Sequence, residues 1–467
     1  MSEINVPKRR GRSCLVYGLV GCFLLPILAI ACVLVVFAIR DSAAQKRLTA
    51  RMDSLRSQGM PIDNQSLAQF YESRTSAIDQ TKWLTILAEL ESAEFRESTT
   101  GVPILGSQVT NEIPLSGQPW EEEAATREFL DKWRDLHDRI MRLSMDSVPV
   151  RFPIDWQSFS TLLPQTQQMR SAARLLSLRG HVALHDRDSA AVRRSIDALL
   201  GCGNVNSGEP ILVSQLVAIA IDGMAIEITK VAVEQGILRP KDLRDLLPKI
   251  LEKSSIGPSW KLAIQGERGL TIPIFKDPSG IFNPNETMIA SLPFRATDAN
   301  NYLDLIDGVL ETKTEDFDTF RQSLARQEEK LRELISGGLL AKFDSVVTGM
   351  ITPALMAAGD AFVRQATAHR MAALGMAIRL YEFDNGRFPR SLNDLQPYGI
   401  TGDLLLPAGG TPFGYKVEAD RATLWGFDLR RESAVPPEPP ELGEDEPYRQ
   451  ETQMWVWEMP AASASEQ

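Results

Sequence analysis

Residues 15–39, "LVYGLVGCFLLPILAIACVLVVFAI", contain no charged residue. At about 1.5 Å of rise per residue, a helix of this length spans roughly 37 Å, enough to cross a bilayer core with some tilt. Core helices of globular domains seldom run so far without a charge. Pro26 is tolerated in a membrane helix, where neighbouring groups re-satisfy the freed carbonyl. A cleavable signal peptide is the rival reading. Ala29-Ile30-Ala31 resembles a small-residue cleavage site, and Ala31-Cys32 hints at a lipoprotein site. Eight apolar residues follow Ala31 before Arg40, however, whereas a signal core is normally only ~7–15 residues long. The sequence therefore predicts a basic tail at 1–13 and an uncleaved signal-anchor at 14–39.

Orientation follows from the flanking cations. Lys8, Arg9, Arg10 and Arg12 precede the run, and Arg40, Lys46, Arg47 and Arg51 follow it. The N-terminal group is denser and closer, which places the N-terminus inside and the large body outside the cytoplasm. The expected location is the cell inner membrane, single-pass.

The body is acidic. The first 40 residues carry +4 of a total of −11, leaving −15 for the remainder. Phosphate binding along a nucleic acid needs a basic surface, so nucleic acid is excluded as the expected partner. At 467 residues the chain exceeds one ordinary core, and more than one domain is expected. Cys14, Cys22 and Cys32 lie in or beside the anchor, and Cys202 stands alone in the body, so no intrachain disulfide is expected there.

From residue 40 to about 345 the patterning is helical. "EEEAATREFLDKWRDLHDRIMRL" begins with acids and ends with bases, as the helix dipole favours. Residues 165–202 read as two helices joined by a D-R-D-S turn, with Ser189 as candidate N-cap. Residues 211–233 are apolar enough to resemble a second span, but Asp222, Glu227 and Lys230 would each be costly in lipid. A central buried helix is the better reading. The stretch from Gly266 to Phe294 is rich in Pro, Gly and Asn and predicts a surface excursion. Residues 314–337 predict a charge-laced helix with one solvated face. No period near 34 residues supports a tetratricopeptide array.

Motifs for chemistry are sparse. G-x-x-x-x-G-K-[ST], H-E-x-x-H, G-x-S-x-G, C-x-x-C and G-x-G-x-x-G are all absent. His181 and His185 share a helix face at i, i+4 beside Asp186 and Asp188, a geometry open to a metal; the blander reading is a helix end with an acidic turn. Glu315, Asp316 and Asp318 are either an acid–base cluster or the charged start of the following helix. Gly201-Cys202-Gly203 reads as a loop, and Cys202 has no nearby histidine in sequence to act as its base. No catalytic, cofactor-binding or metal residue is assigned.

The C-terminal portion is more informative. Apolar or small residues recur at 355, 358, 362, 366, 369, 373, 376, 380 and 383, an average step of 3.5 that defines a helical stripe. His369 lies on it, as a core histidine. Met371, Leu374, Ile378 and Tyr381 form a second stripe, so the helix is expected to be sandwiched. Asn385-Gly386 stops it, Phe388-Pro389 forces an extended step, and Ser391 with Asp394 starts a short capped helix. "FGYKV" and "ATLWGFD" then predict a hairpin turning at Glu418-Ala419-Asp420-Arg421. Beyond a Pro/Glu-rich loop at 432–448, "QMWVWEM" (453–459) alternates with Trp455, Trp457 and Met459 on one face, and predicts a third strand.

Tyr381, Asp384-Asn385-Gly386, Phe388-Pro389, Ser391-Leu392 with Leu395, Pro412-Phe413-Gly414-Tyr415 and Leu424-Trp425 occur in an order that resembles the head of type II secretion pseudopilins, the major pseudopilin above all. The resemblance covers residues 354–428. It implies a long helix on a small sheet and a place near a secretion or pilus-like machine. Two features depart from the family. The anchor lacks the Phe/Glu leader motif and lies over 300 residues from the module. The family's calcium loop is not recognisable after Asp428, where Glu441, Glu444 and Asp445 sit in the Pro/Glu-rich loop.

The expected fold class is therefore mainly α. It comprises an N-terminal single transmembrane helix, a multi-helix extracytoplasmic domain (40–345), and a small C-terminal α+β head (346–467) with a three-stranded antiparallel sheet. The expected function is that of a bitopic bacterial envelope protein acting through protein–protein contacts. Its expected partners are the membrane and an unidentified envelope protein. An accessory component of a secretion or pilus-like machine and an enzyme with a dispersed site in the helical domain are the alternatives.

Overall fold

A computed structural model describes residues 39–106, 113–145, 147–277, 295–338, 344–406, 412–427, 438–439, 448–449 and 454–461. The expected anchor at 14–39 lies outside these apart from Ile39. So do nearly all of the Pro/Glu-rich loop and Glu441, Glu444 and Asp445.

The described chain is mainly helical. Residues 39–57 form α1. They are followed by α2 (Asn64–Glu72), α3 (Gln80–Leu90), α4 (Ala93–Ser98), α5 (Glu123–Lys132) and α6 (Arg134–Met145). Then come α7 (Pro164–His185), α8 (Ser189–Val205), α9 (Leu212–Glu234), α10 (Pro240–Glu252) and α11 (Gly257–Thr271). The last three are α12 (Arg295–Leu310), α13 (Phe317–Ser336) and α14 (Val346–Asn385). Four strands close the fold: β1 (Gly414–Val417), β2 (Arg421–Phe427), β3 (Tyr448–Arg449) and β4 (Met454–Pro460).

Four local expectations need correction. The acid-to-base run at 121–143 is two helices, because Trp133 turns the chain: its indole N–H donates to Ser98 Oγ at 2.8 Å and its ring meets Phe95 edge-on. Asp188, not Ser189, caps α8, its carboxylate accepting from the Ala191 N–H at 3.0 Å. Gly201-Cys202-Gly203 is no loop but lies inside α8. Gly266 likewise lies within α11, where a Cβ would stand 1.4 Å from the Pro210 carbonyl oxygen, so the first part of the expected excursion is helix, and its remainder, 278–294, lies outside the described residues.

Two large hydrophobic cores form, beside two small clusters. The first gathers α3 to α10, the C-terminal half of α14 and one face of the sheet. The second gathers Met52 of α1 with α11, α12, α13 and the N-terminal half of α14, around Trp260 set edge-on to Phe320 and Phe362. Helix α14, 40 residues and so roughly 60 Å long, runs through both. Among the described residues it is the helix long and apolar enough to cross a membrane, yet half of that apolar window is buried inside the protein. Helix α9 is also a buried core helix, as Asp222, Glu227 and Lys230 predict.

The two long apolar helices lack side-chain N-caps of their own. A buried carboxylate from another helix serves each. Asp298 of α12 accepts from the Val347 and Thr348 N–H groups of α14 at 2.8 and 3.1 Å. Glu267 of α11 accepts from the Leu212 N–H of α9 at 2.8 Å. Such acceptors satisfy orphan donors and oppose the positive end of the helix dipole.

At its other end α14 stops at Gly386, with φ +66°, in the left-handed cap the sequence predicts. Ser391 and Asp394 form the expected capping box, on a 3₁₀ rather than an α turn. The sheet is antiparallel in order β1-β2-β4-β3, with β3 a two-residue pairing on the outer edge of β4. The predicted third strand is β4, in register Arg421↔Pro460 to Phe427↔Met454 with β2. Trp457 and Met459 face α14 with Leu424 and Ala422, and Trp455 packs against the same core. The Trp457 ring lies so close that a Cβ on Gly375 would approach it to 2.6 Å. Arg379 rivets this corner: it donates to the Val233 and Glu234 carbonyls at the end of α9, to Glu382, and to the Pro460 carbonyl of β4.

Candidate functional site

Helix α10 and its C-cap residue place Lys249 and Lys253 one turn apart on one side. On an isolated helix such a like-charged pair repels, so it calls for acids opposite. The fold supplies them. Lys249 Nζ is 2.6 Å from Asp197 Oδ1 of α8, whose other oxygen faces Arg193 at 3.1 Å. Lys253 Nζ is 2.9 Å from both oxygens of Asp222 of α9, which also accepts from Gln365 Nε2 of α14 at 2.9 Å. Both aspartates are buried. The four residues line a cleft of about 390 Å³ between α8, α9, α10 and the start of α11, with Gln215 and Gln365 as further walls.

Small residues make this approach possible. A Cβ on Gly203 would lie 2.6 Å from Asp222 Oδ1, and one on Gly201 would lie 1.8 Å from the Ser144 carbonyl oxygen. The glycine pair that reads as a loop signal thus permits close packing of α8 against α9 and the end of α6. Cys202, between them, is fully buried, and burial pushes its thiol up to about 12. It is not placed to serve as a thiolate nucleophile. His369 on α14 is fully buried too; its Nδ1 sits 2.9 Å from the Gln365 carbonyl, and burial lowers its pKa, which keeps it neutral.

The other sequence candidates disperse. His185 Nδ1 meets the Pro114 carbonyl at 2.8 Å and its ring lies tilted against that of Trp120, 5.2 Å between centroids. His181 is held toward neutrality by burial, partly offset by Glu227. Both Asp186 oxygens are taken by Arg127, and Asp188 is a helix cap. Among the described residues no group of three His, Cys, Asp or Glu is placed to hold a metal ion. Asp316 caps α13 by accepting from the Asp318 N–H at 3.0 Å, and Glu315 accepts from the Thr314 N–H.

Chemically, the cleft presents paired charges rather than a nucleophile with a base. It ties α8, α9, α10 and α14 together through two buried aspartates, each held by a lysine that reaches toward solvent, and its amide walls suit a small polar molecule. Asp197, Lys249 and Lys253 escaped the sequence reading; the i, i+4 lysine pair was the available signal. Set against family models, curated proteins and solved structures, the chain matches none.

Proposed function

We propose that this is a bitopic bacterial envelope protein whose body acts through protein–protein contacts at the outer face of the cell inner membrane, held there by the apolar segment 14–39. The carrying observation is an ionic seam on α1, which begins where that segment ends. Arg47 grips Asp304 at 2.8 and 3.0 Å; Arg51 reaches Asp304 and Asp307, each at 2.6 Å; Arg40 pairs with Asp344. Single exposed pairs contribute little, about 0–1 kcal/mol each, but networks with forked arginines do more. Met52 adds an apolar anchor in the second core. The start of α1 is thereby fixed to the second core, which suits a contact platform of fixed orientation.

Large apolar side chains on the loop before α7 offer a contact face: Leu162 is 81% exposed and Phe159 44%. The second reading, an accessory component of a secretion or pilus-like machine, draws on the order of α14, Gly386, the capped turn and the hairpin. The C-terminal half of α14 is already covered by α9, α10 and the sheet, so the head would offer such a machine its exposed surface rather than a free helix. An enzyme with a dispersed site draws no support from a cleft whose two buried aspartates are both held by lysines.

In intact cells, a photo-crosslinker at Leu162 should give a discrete adduct, one at Arg332 on exposed α13 should not, and a reporter fused after Gln467 should be active outside the cytoplasm. Identical smears from both positions, or a reporter active only in the cytoplasm, would reject the proposal.

A further inference from the structure

The cleft between α8, α9, α10 and the start of α11 holds its buried aspartates but leaves hydrogen-bonding capacity unspent. Gln215 of α9 lines it and is only 2% exposed. Its Nε2 donates to the Ser207 and Glu209 carbonyls at 3.1 and 2.8 Å. Two acceptors on one side of an amide fix which atom is the nitrogen, so Oε1 points the other way. Among the described residues Oε1 meets no donor, yet it is not sealed as the unpartnered Ser144 Oγ and Asn206 amide are. The little surface that Gln215 retains opens on the cleft.

Gln365 of α14 repeats the pattern. Its Nε2 donates to Asp222 Oδ2 at 2.9 Å, and among the described residues its Oε1 is left bare. Lys253 Nζ meets the same Asp222 oxygen at 2.9 Å. An ammonium carries three hydrogens, so a spare N–H and a bare amide oxygen stand side by side over a carboxylate that is 4% exposed. Ser147, Ser207 and Ser259 spend their hydrogens on the Gly201, Asn204 and Ile256 carbonyls and have only lone pairs left to offer.

These walls disfavour ions of either sign. Two lysines against Asp197, Asp222 and Glu252 leave one net negative charge, and an anion at the lysines would meet the two buried aspartates behind them. A cation at Gln365 Oε1 would stand beside the Lys253 ammonium. A hydroxyl is the neutral group that accepts from the lysine and donates to the amide oxygen at once. It also replaces the water that hydrates these groups in the free protein without losing a hydrogen bond. At about 390 Å³ the cleft is near the small end of ligand sites, which run from about 300 to 1,000 Å³.

We propose that this cleft binds a neutral polyol, a single sugar or cyclitol ring with adjacent hydroxyls. One hydroxyl accepts from Lys253 and donates to Gln365 Oε1, and a second donates to Gln215 Oε1. Leu200, Ile219 and Pro258 offer apolar wall to the C–H face of the ring.

The test is calorimetric titration of the full-length protein in lauryldimethylamine oxide, a detergent without a sugar headgroup. The probes are D-glucose, N-acetyl-D-glucosamine and myo-inositol, with putrescine and acetate as the charged counterparts. At least one polyol should bind saturably with a Kd of about 1 mM or tighter, and the tightest identifies the ring. Gln365→Leu should weaken that binding by about threefold to tenfold, the worth of one neutral hydrogen bond. Ser255 is exposed at the rim of the cleft, so Ser255→Trp should fill the mouth and abolish binding while leaving the melting temperature unchanged. The proposal is overturned if none of the three polyols gives saturable binding, if Ser255→Trp binds as wild type, or if putrescine or acetate binds as tightly as the best polyol.

Discussion

Single positions show how little slack the first core contains. Gly201 admits no side chain, since a Cβ would strike the Ser144 backbone at 1.8 Å, and backbone cannot swing aside as a side chain can. Gly223, on α9, has nothing within 4 Å of its would-be Cβ. Chemical denaturation should separate the two. Gly201→Ala should cost about 2 kcal/mol or more by overpacking, whereas Gly223→Ala should be neutral or stabilising by about 0.5–1 kcal/mol because it favours helix. Equal effects would show that α8 and α6 can part without penalty. The same residue type thus carries opposite meanings in two neighbouring helices, and the difference lies in what stands opposite.

At the scale of elements, the N-terminus of α9 makes the fold pH-sensitive. Glu267 accepts from the Leu212 N–H, and Glu209 accepts from Ser214 Oγ at 2.5 Å and Gln165 Nε2 at 3.2 Å. Burial raises both carboxyls to about 7 despite these donors. The folded-state pKa lies above the ordinary value of 4.5, so folding takes up protons in this window. The associated stability is fully present below pH 4.5 and is lost as pH rises through 7. The largest loss is about 3 kcal/mol per group. Melting temperature should therefore fall between pH 5 and pH 8, and Glu209→Gln with Glu267→Gln should flatten that slope, leaving the variant more stable than wild type at pH 8. A slope unchanged in the double variant would assign it to other groups. None of this was legible locally, because Leu212 and its acceptor are 55 residues apart. The head is the counter-example: its stop, capping box, hairpin and third strand all announce themselves within a few residues.

The whole molecule is organised by α14, which lends one half to each core. A continuous helix couples what it threads, since fraying one half removes packing from the other. Phe362 is fully buried in the second core beside Trp260, so Phe362→Ala should cost about 3–5 kcal/mol. If α14 couples the cores, hydrogen exchange in this variant should accelerate alike over residues 355–366 and 371–380. Acceleration confined to 355–366 would mean that the two cores unfold independently. The ionic seam on α1 belongs to this scale as well, because it joins the start of the described chain to the second core rather than to the C-terminal sheet.

The sequence by itself determined whatever depends on one or two turns of chain. It specified the helical character of the body, the buried path of α9, the two apolar stripes of α14, the Gly386 stop, and the alternation that makes β4 a strand. Periodicity, turn chemistry and capping act over a few residues, so they can be read without neighbours. The tertiary structure decided which residues meet. It brought Asp298 to the head of α14 across 49 residues and Asp222 to Lys253 across 31. It also placed Gly201 and Gly203 in a helix that composition makes look like a loop. Close approach and charge compensation are properties of pairs, and the chain does not state its pairs until it has folded.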